Sequence, residues 1–384
     1  MSAAIPMQRR RDAGSDTWPR VRLGEVCNIN MGQSPESSTY NSSSEGLPFY
    51  QGNADFGTIH PKPRVWCSAP VKIAKAGDLL ISVRAPIGAL NFANERCCIG
   101  RGLAALSALP NIEYGFLYYA LKSKVAELNA KGTGSTFKAI NKRALSAISI
   151  VLPPLAIQRR IAAKLDLLCD IVTKRKNQLS QLNQLVKSRF VEMFGNVKSS
   201  VAIGERFKTQ SGGTPKSSEN KFYENGTIPW LTSGEVGQGV IRKVDRCITQ
   251  AGLDNSSAKW TPIDSVLVAM YGATAGKVGL LKIKATTNQA VCSILPAQGM
   301  MPEFVYYAVA SKTDWMLQQA AGGAQPNISQ GVVRKMRIPN PPLALQREFA
   351  AFVEKVDKLA FAVRKSLESA EKLYRQQLSE AFAC

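Results

Sequence analysis

Three stretches of the 384-residue sequence come closest to catalytic signatures, and each lacks a group that its chemistry needs. "GATAGKVG", from Gly272, resembles a phosphate-cradling loop, but its spacing is one residue short and Val278 stands where a Ser or Thr would hold Mg²⁺. "NPP", from Asn340, resembles the Asn-Pro-Pro-aromatic run with which N6-adenine methyltransferases grip a flipped base. Leu343 replaces the aromatic ring, however, and the matching tripeptide 188 residues earlier reads Leu152-Pro153-Pro154. No Gly-rich cofactor loop follows a strand, so Asn340 reads as a turn residue ahead of a helix. The sole histidine, His60 in "GTIHPKP", is one ligand where Zn²⁺ needs several, and it reads as a turn residue too. With no clustered carboxylates and little scope for general-base chemistry, the sequence predicts no catalytic residue, no metal and no cofactor. The eight cysteines contain no CxxC pair and the chain is too large to need disulfide staples, which points to a reducing cytosol.

What the residues can do is bind a polyanion. The formal net charge is +21, and it is spread: +8 over residues 1–154, +5 over 155–196, +7 over 197–342 and +1 over the rest. A membrane-surface protein would concentrate such charge on an amphipathic helix or in one polybasic block. Bias in two separate globular segments fits DNA better, and no apolar run is long enough to cross a bilayer. Arg and Lys suit guanine edges or phosphates, Asn and Gln suit adenine, and loops on a rigid scaffold are where such groups are placed. The candidate DNA contacts in the first half are Gln33 and Ser34 in an early loop, Arg84 at a strand end, and Lys138, Asn141 and Lys142 in a late loop. Their counterparts are Thr214 and Lys216, then Tyr271 and Lys277, then Gln325 and Asn327.

Those candidates recur because the chain is a tandem repeat. "PPLAIQRRIAAKLD" from Pro153 returns as "PPLALQREFAAFVEK" from Pro341, and the same 188-residue offset pairs Tyr118 and Tyr119 with Tyr306 and Tyr307. Further upstream the offset drifts to 180, where "GQSP" at Gly32 answers "GGTP" at Gly212. Each copy supplies short β-like runs ("DLLISV" and "ALNFA"; "SVLVAMY" and "KVGLLKI"), and an amphipathic helix from Tyr114 or from Pro302 follows. A polar loop and a strand-like run then lead into a long helix that opens on two prolines, a pair suited to a first helical turn. In the first long helix Ile161, Leu165, Leu168, Val172, Arg175, Leu179, Leu182, Val186, Arg189 and Met193 follow heptad spacing. In the second, Leu345, Phe349, Phe352, Val356, Leu359 and Val363 do the same, continued by Leu367, Ala370, Tyr374 and Leu378. Each seam alone would leave apolar surface in water, so an intramolecular antiparallel pair is expected, with a homodimeric coiled coil as the rival. Arg175 and Arg189 on the first seam either set the register or carry snorkelling stems.

The tandem phrases, with the "GQSP" and "GGTP" loops before them, resemble the specificity subunit of type I restriction-modification systems over nearly the whole chain, from Trp18 to Phe382. The resemblance implies an α/β fold of two target-recognition domains in tandem, each followed by a long conserved helix, the two helices packing as an antiparallel coiled coil. The expected boundaries are a loose basic arm at 1–17, domains at 18–152 and 197–340, and spacer helices at 153–196 and 341–384. It also implies a non-catalytic subunit that binds double-stranded DNA at a target in two unequal halves, recruits two methyltransferase subunits and joins motor-nuclease restriction subunits, with no membrane. An autonomous DNA-modifying enzyme and a helical scaffold without sequence readout are the alternatives from other classes.

Overall fold

The computed structural model describes residues 18–134, 138–321 and 326–382; the expected basic arm at 1–17 lies outside them. Two compact units divide the chain: residues up to Lys176 together with those from Lys365 onward, and Asn177–Arg364. The first unit is built on an antiparallel four-stranded sheet in the order Cys27–Met31, Leu103–Ala108, Leu79–Ser82, Leu90–Phe92. A second sheet of five short strands includes one parallel pair, Leu47–Tyr50 with Cys97–Ile99. The run Leu79–Ile81 within "DLLISV" is apolar without interruption because its strand is covered on both faces. Leu79, Ile81 and Val83 point into the core beneath the helices, while Leu80 points into a second core with Leu103, Ala105 and Tyr50.

In the second unit the same plan recurs. A five-stranded sheet runs Thr209–Ser211, Val291–Ile294, Val266–Ala269, Val278–Leu281, Val240–Ile241, and a four-stranded sheet contains the parallel pair Ile228–Leu231 with Ala285–Thr287. Val266, Val268 and Met270 face the core shared with the helices, and Leu267 and Ala269 face the other. Two-stranded clasps close each unit ahead of its long helix: Arg20–Arg22 with Ser149–Val151, and Ser200–Ala202 with Arg337–Pro339.

The long helices are Leu155–Phe194 and Leu343–Phe382. In the first unit the start of one lies against the end of the other: Leu165 and Cys169 share a core with Tyr374, Leu378 and Phe382, and the Phe116 and Phe382 rings are 5.1 Å apart. In the second unit Phe190 and Phe194 meet Phe349 at 5.5 and 5.4 Å. Both contacts are antiparallel. Arg189 sits on the first seam with its guanidinium reaching Glu348 at 3.0 Å and Glu192 at 2.9 Å, so the stem is apolar packing and the head is an interhelical ion pair.

Two local expectations need correction. Leu359 is not on the second seam: it is 58% exposed, and Ala360, at 3%, takes its place between Val356 and Val363. A step of four followed by a step of three keeps the inward face, whereas three then four rotates Leu359 out. The amphipathic helix after the sheet is also not one helix but two, Tyr114–Ser123 with Val125–Ala130, and Pro302–Ala310 with Thr313–Gln318. At each break a serine donates back into the last turn, Ser123 Oγ to Ala120 O at 2.7 Å and Ser311 Oγ to Ala308 O at 2.8 Å. The change of direction buries Leu128 and Met316 completely.

Candidate nucleic-acid interface

Each unit gathers three loops onto one platform; the backbone bonds of the early and late loops recur in both units, and the third is joined through a side chain. The early loop is pinned first. Gly32 accepts this position because a Cβ there would stand 2.1 Å from the Gly100 carbonyl oxygen, and at Gly212 it would stand 1.9 Å from that of Thr287. The next amide in each donates across the approach, Gln33 N to Ile99 O at 3.0 Å and Gly213 N to Thr287 O at 2.9 Å. A tyrosine then ties down the proline of each loop: Tyr40 Oη donates to Pro35 O at 2.9 Å, and Tyr223 Oη to Pro215 O. Burial pushes both phenols above their ordinary value, which keeps them in the donating form. Tyr40 stacks on Phe49 at 4.7 Å, and Tyr223 meets Trp230 edge-on at 5.9 Å.

The late loop docks on the strand end. Arg84 forms a β-bridge with Ala139, and Tyr271 forms one with Asn327. Each loop also closes on itself, Thr133 with Ala139 and Ala321 with Asn327. The loop tips at 135–137 and 322–325, and with them Gln325, lie outside the described residues. The third element is the turn entering Leu103–Ala108 in the first unit and Val291–Ile294 in the second. Arg101 N donates to Ser34 Oγ at 3.3 Å, which joins the turn to the early loop, and in the second unit Thr214 Oγ1 donates to Gln289 Oε1. Arg84 and Arg101 line an open recess of about 230 Å³ with Gln51 and Asn53.

The structure therefore brings Ser34, Arg84 and Lys138 together in one unit, and Thr214, Tyr271 and Asn327 together in the other. Lys138 belongs to the first platform through its carbonyl, which accepts from Ala85 N at 3.0 Å and leaves its side chain exposed. Four candidates are placed in local structure instead. Asn141 caps the helix Lys142–Ser146, its side chain accepting from Ala144 N at 2.9 Å, and Lys142 opens that helix with its side chain exposed. Lys216 pairs with Glu219 at 3.5 Å, and the Lys277 stem lies over Gly237. Sequence reasoning missed Arg101 and Gln289, although the 188-residue offset relates them and would have marked both.

The look-alikes resolve as scaffolding. The "GATAGKVG" turn feeds the strand Val278–Leu281, so no helix N-terminus stands where a phosphate would need one. His60 Nδ1 lies 2.9 Å from Phe92 O, and Asn340 N donates to Ser199 O at 2.9 Å. Among the described residues no group of three or more His, Cys, Asp or Glu could hold a metal ion, and no helix is long and apolar enough to cross a membrane.

The glutamine of the repeated helix phrase acts structurally. Gln158 is fully buried; its Oε1 accepts from Glu113 N at 2.8 Å, and its Nε2 donates to Pro153 O at 2.8 Å and Asn111 O at 3.0 Å. Gln346 repeats this with Met301 N at 2.9 Å and Pro341 O at 3.0 Å. Each clasp ties the start of a long helix to the turn ahead of the tyrosine helix.

A family model described as the type I restriction modification DNA specificity domain matches residues 15–183 and again 197–370. The chain belongs to that family. Each of the two specificity-domain matches contains one whole platform, Ser34 to Lys138 in the first and Thr214 to Asn327 in the second. A Methanocaldococcus jannaschii protein provisionally named type I restriction enzyme MjaX specificity subunit is 41% identical over 175 residues, 45% of this chain and 41% of its own length. The type I restriction enzyme EcoBI specificity subunit of Escherichia coli is 23% identical over 407 residues, 92% of this chain and 82% of its own. The matches to the first relatives thus span less than half of their length, 41% for MjaX and 45% for the Escherichia coli EcoR124I/EcoR124II subunit. In fold, the chain is similar to the crystal structure of the type I restriction-modification S subunit from M. genitalium. The TM-score is 0.62 at 16% identity, covering 99% of this chain and 100% of that one.

Proposed function

We propose that this specificity-domain chain is the non-catalytic sequence-reading subunit of a cytoplasmic type I restriction-modification complex. It binds double-stranded DNA at a bipartite, asymmetric target, with residues 18–152 and 197–340 as the two readers. It recruits two methyltransferase subunits through its helices and joins motor-nuclease restriction subunits. The observation that carries the reading is a duplicated platform with unlike side chains. The backbone contacts repeat, but Arg84 becomes Tyr271, Arg101 becomes Gln289 and Lys138 becomes Pro326. A scaffold kept constant while its contact residues change can read two different short segments, which a structural repeat alone would not require. The basic charge of both halves supplies the sequence-independent part of binding.

The test is an exchange. Replacing residues 18–152 with the equivalent domain of another family member, assembling the methyltransferase and mapping modified adenines should change one half of the target and leave the other. Alteration of both halves would overturn the assignment of one reader to each half. Methyl transfer by the purified chain without partners would overturn the non-catalytic reading.

A further inference from the structure

The two platforms share a backbone but not a chemistry. At the strand end Arg84 faces the late loop in the first unit, and Tyr271 does so in the second. At the turn the first has Arg101 and the second Gln289, whose carbonyl oxygen already accepts from Thr214. Arg84 and Arg101 are both exposed at the rim of one recess, and among the described residues neither guanidinium is neutralised by a carboxylate. Asp55, the acid nearest in sequence to the recess residues Gln51 and Asn53, is held by Arg64 and by Gln51 N at 2.8 Å. Two uncompensated planar forks beside one recess match the O6 and N7 acceptors of guanine in the major groove. The second platform offers amides in their place. Gln289 keeps an acceptor lone pair and both amide hydrogens, and Asn327 stands exposed on the paired loop, a donor and acceptor set that matches adenine N6 and N7.

We infer that the two half-targets are chemically unlike: the first reader takes a half containing guanine, gripped through Arg84 and Arg101, and the second takes a half containing adenine, held by Gln289 and Asn327. This rests on the reading of the chain as a bipartite DNA reader. It assigns Arg101 and Gln289 as the residues that set base identity at equivalent positions of the two halves.

The full-length chain would be used to select from randomised duplex DNA, alongside Arg101→Gln and Gln289→Arg, both surface substitutions. The expected result is a bipartite consensus in which Arg101→Gln changes a guanine in one half and Gln289→Arg changes an adenine in the other. Substituting 7-deazaguanine at the one guanine that Arg101→Gln changes should weaken binding by about tenfold to a hundredfold, the scale of one lost bidentate contact, and should do so for the wild type but not for Arg101→Gln. If Arg101→Gln left the consensus unchanged while weakening binding to every sequence and flattening the salt dependence, Arg101 would be a phosphate contact and the inference would be wrong, with the bipartite reading intact. A selection that yielded no consensus at all would overturn the bipartite reading itself, and this inference with it.

Discussion

Replacing Gln158 with leucine tests the clasp directly. The side chain is fully buried and makes three hydrogen bonds, at 2.8, 2.8 and 3.0 Å, to Glu113 N, Pro153 O and Asn111 O. Leucine keeps most of the volume and none of the bonds. Each backbone group left without a partner away from water costs about 1–3 kcal/mol, so three of them sum to roughly 3–6 kcal/mol once partial rehydration near the surface is allowed for. For a domain of roughly 150–250 residues, a loss of about 3 kcal/mol lowers Tm by about 6–12 °C. Gln346 supplies an internal comparison. It has two strong bonds, at 2.9 and 3.0 Å, and weaker approaches to Gly299 O at 3.5 Å and Met300 Sδ at 3.7 Å. Gln346→Leu should therefore cost less, about 2–4 kcal/mol. Urea unfolding of the full chain followed by fluorescence and circular dichroism gives both values. A Gln158→Leu variant within about 0.5 kcal/mol of wild type, or a larger loss for Gln346→Leu, would refute the argument that the glutamine is kept for its backbone bonds.

Other perturbations separate site from scaffold. Gly32→Ala forces a Cβ against the Gly100 carbonyl and should displace the early loop and reduce DNA affinity, while Gly234→Ala, whose Cβ would meet only Thr232 Oγ1 at 3.9 Å, should be tolerated; gel-shift titration compares them. Lys122 Nζ stands 5.3, 5.9 and 5.4 Å from the rings of Tyr118, Tyr119 and Tyr374, so Lys122→Met should lower stability by about 0.5–2 kcal/mol, and an unchanged unfolding midpoint would mean that the cage is incidental. Burial pushes the thiols of Cys27, Cys97 and Cys292 from 9.0 up to about 12. A pKa raised in the fold favours the native state below the unfolded value, and that contribution is lost as pH climbs from 9.0 towards 12. Stability should accordingly fall over that window, and all three thiols should resist maleimide at pH 8 until the chain unfolds; rapid labelling of the native protein would contradict their burial.

Much of the plan was legible because it is written in local spacing. The 188-residue offset marks the duplication, and period-3.5 apolar residues mark two long helices. Every candidate on the first seam, from Ile161 to Met193, is at least half-buried in the structure. The slip at Leu359 arose because a leucine and an alanine compete for one heptad position, and hydrophobicity alone chose the larger. The helix breaks at Ser123 and Ser311 were hidden because a serine is tolerated within a helix and only the packing of Leu128 and Met316 selects the bend.

Of the site, the sequence by itself determined the early loop, the strand end and the late loop as candidate contacts, the recurrence of "GQSP" as "GGTP", and an excess of positive charge in both halves. Only the tertiary structure decided which residues share a platform. Arg101 is 67 positions from Ser34, and Gln289 is 75 from Thr214; each pair meets because sheet register carries one strand's end beside the other's turn. Register is fixed by long-range burial on both faces of the sheet, the alternation of Leu79, Leu80 and Ile81 between two cores, and no pattern within a single stretch of chain encodes which strand will lie alongside.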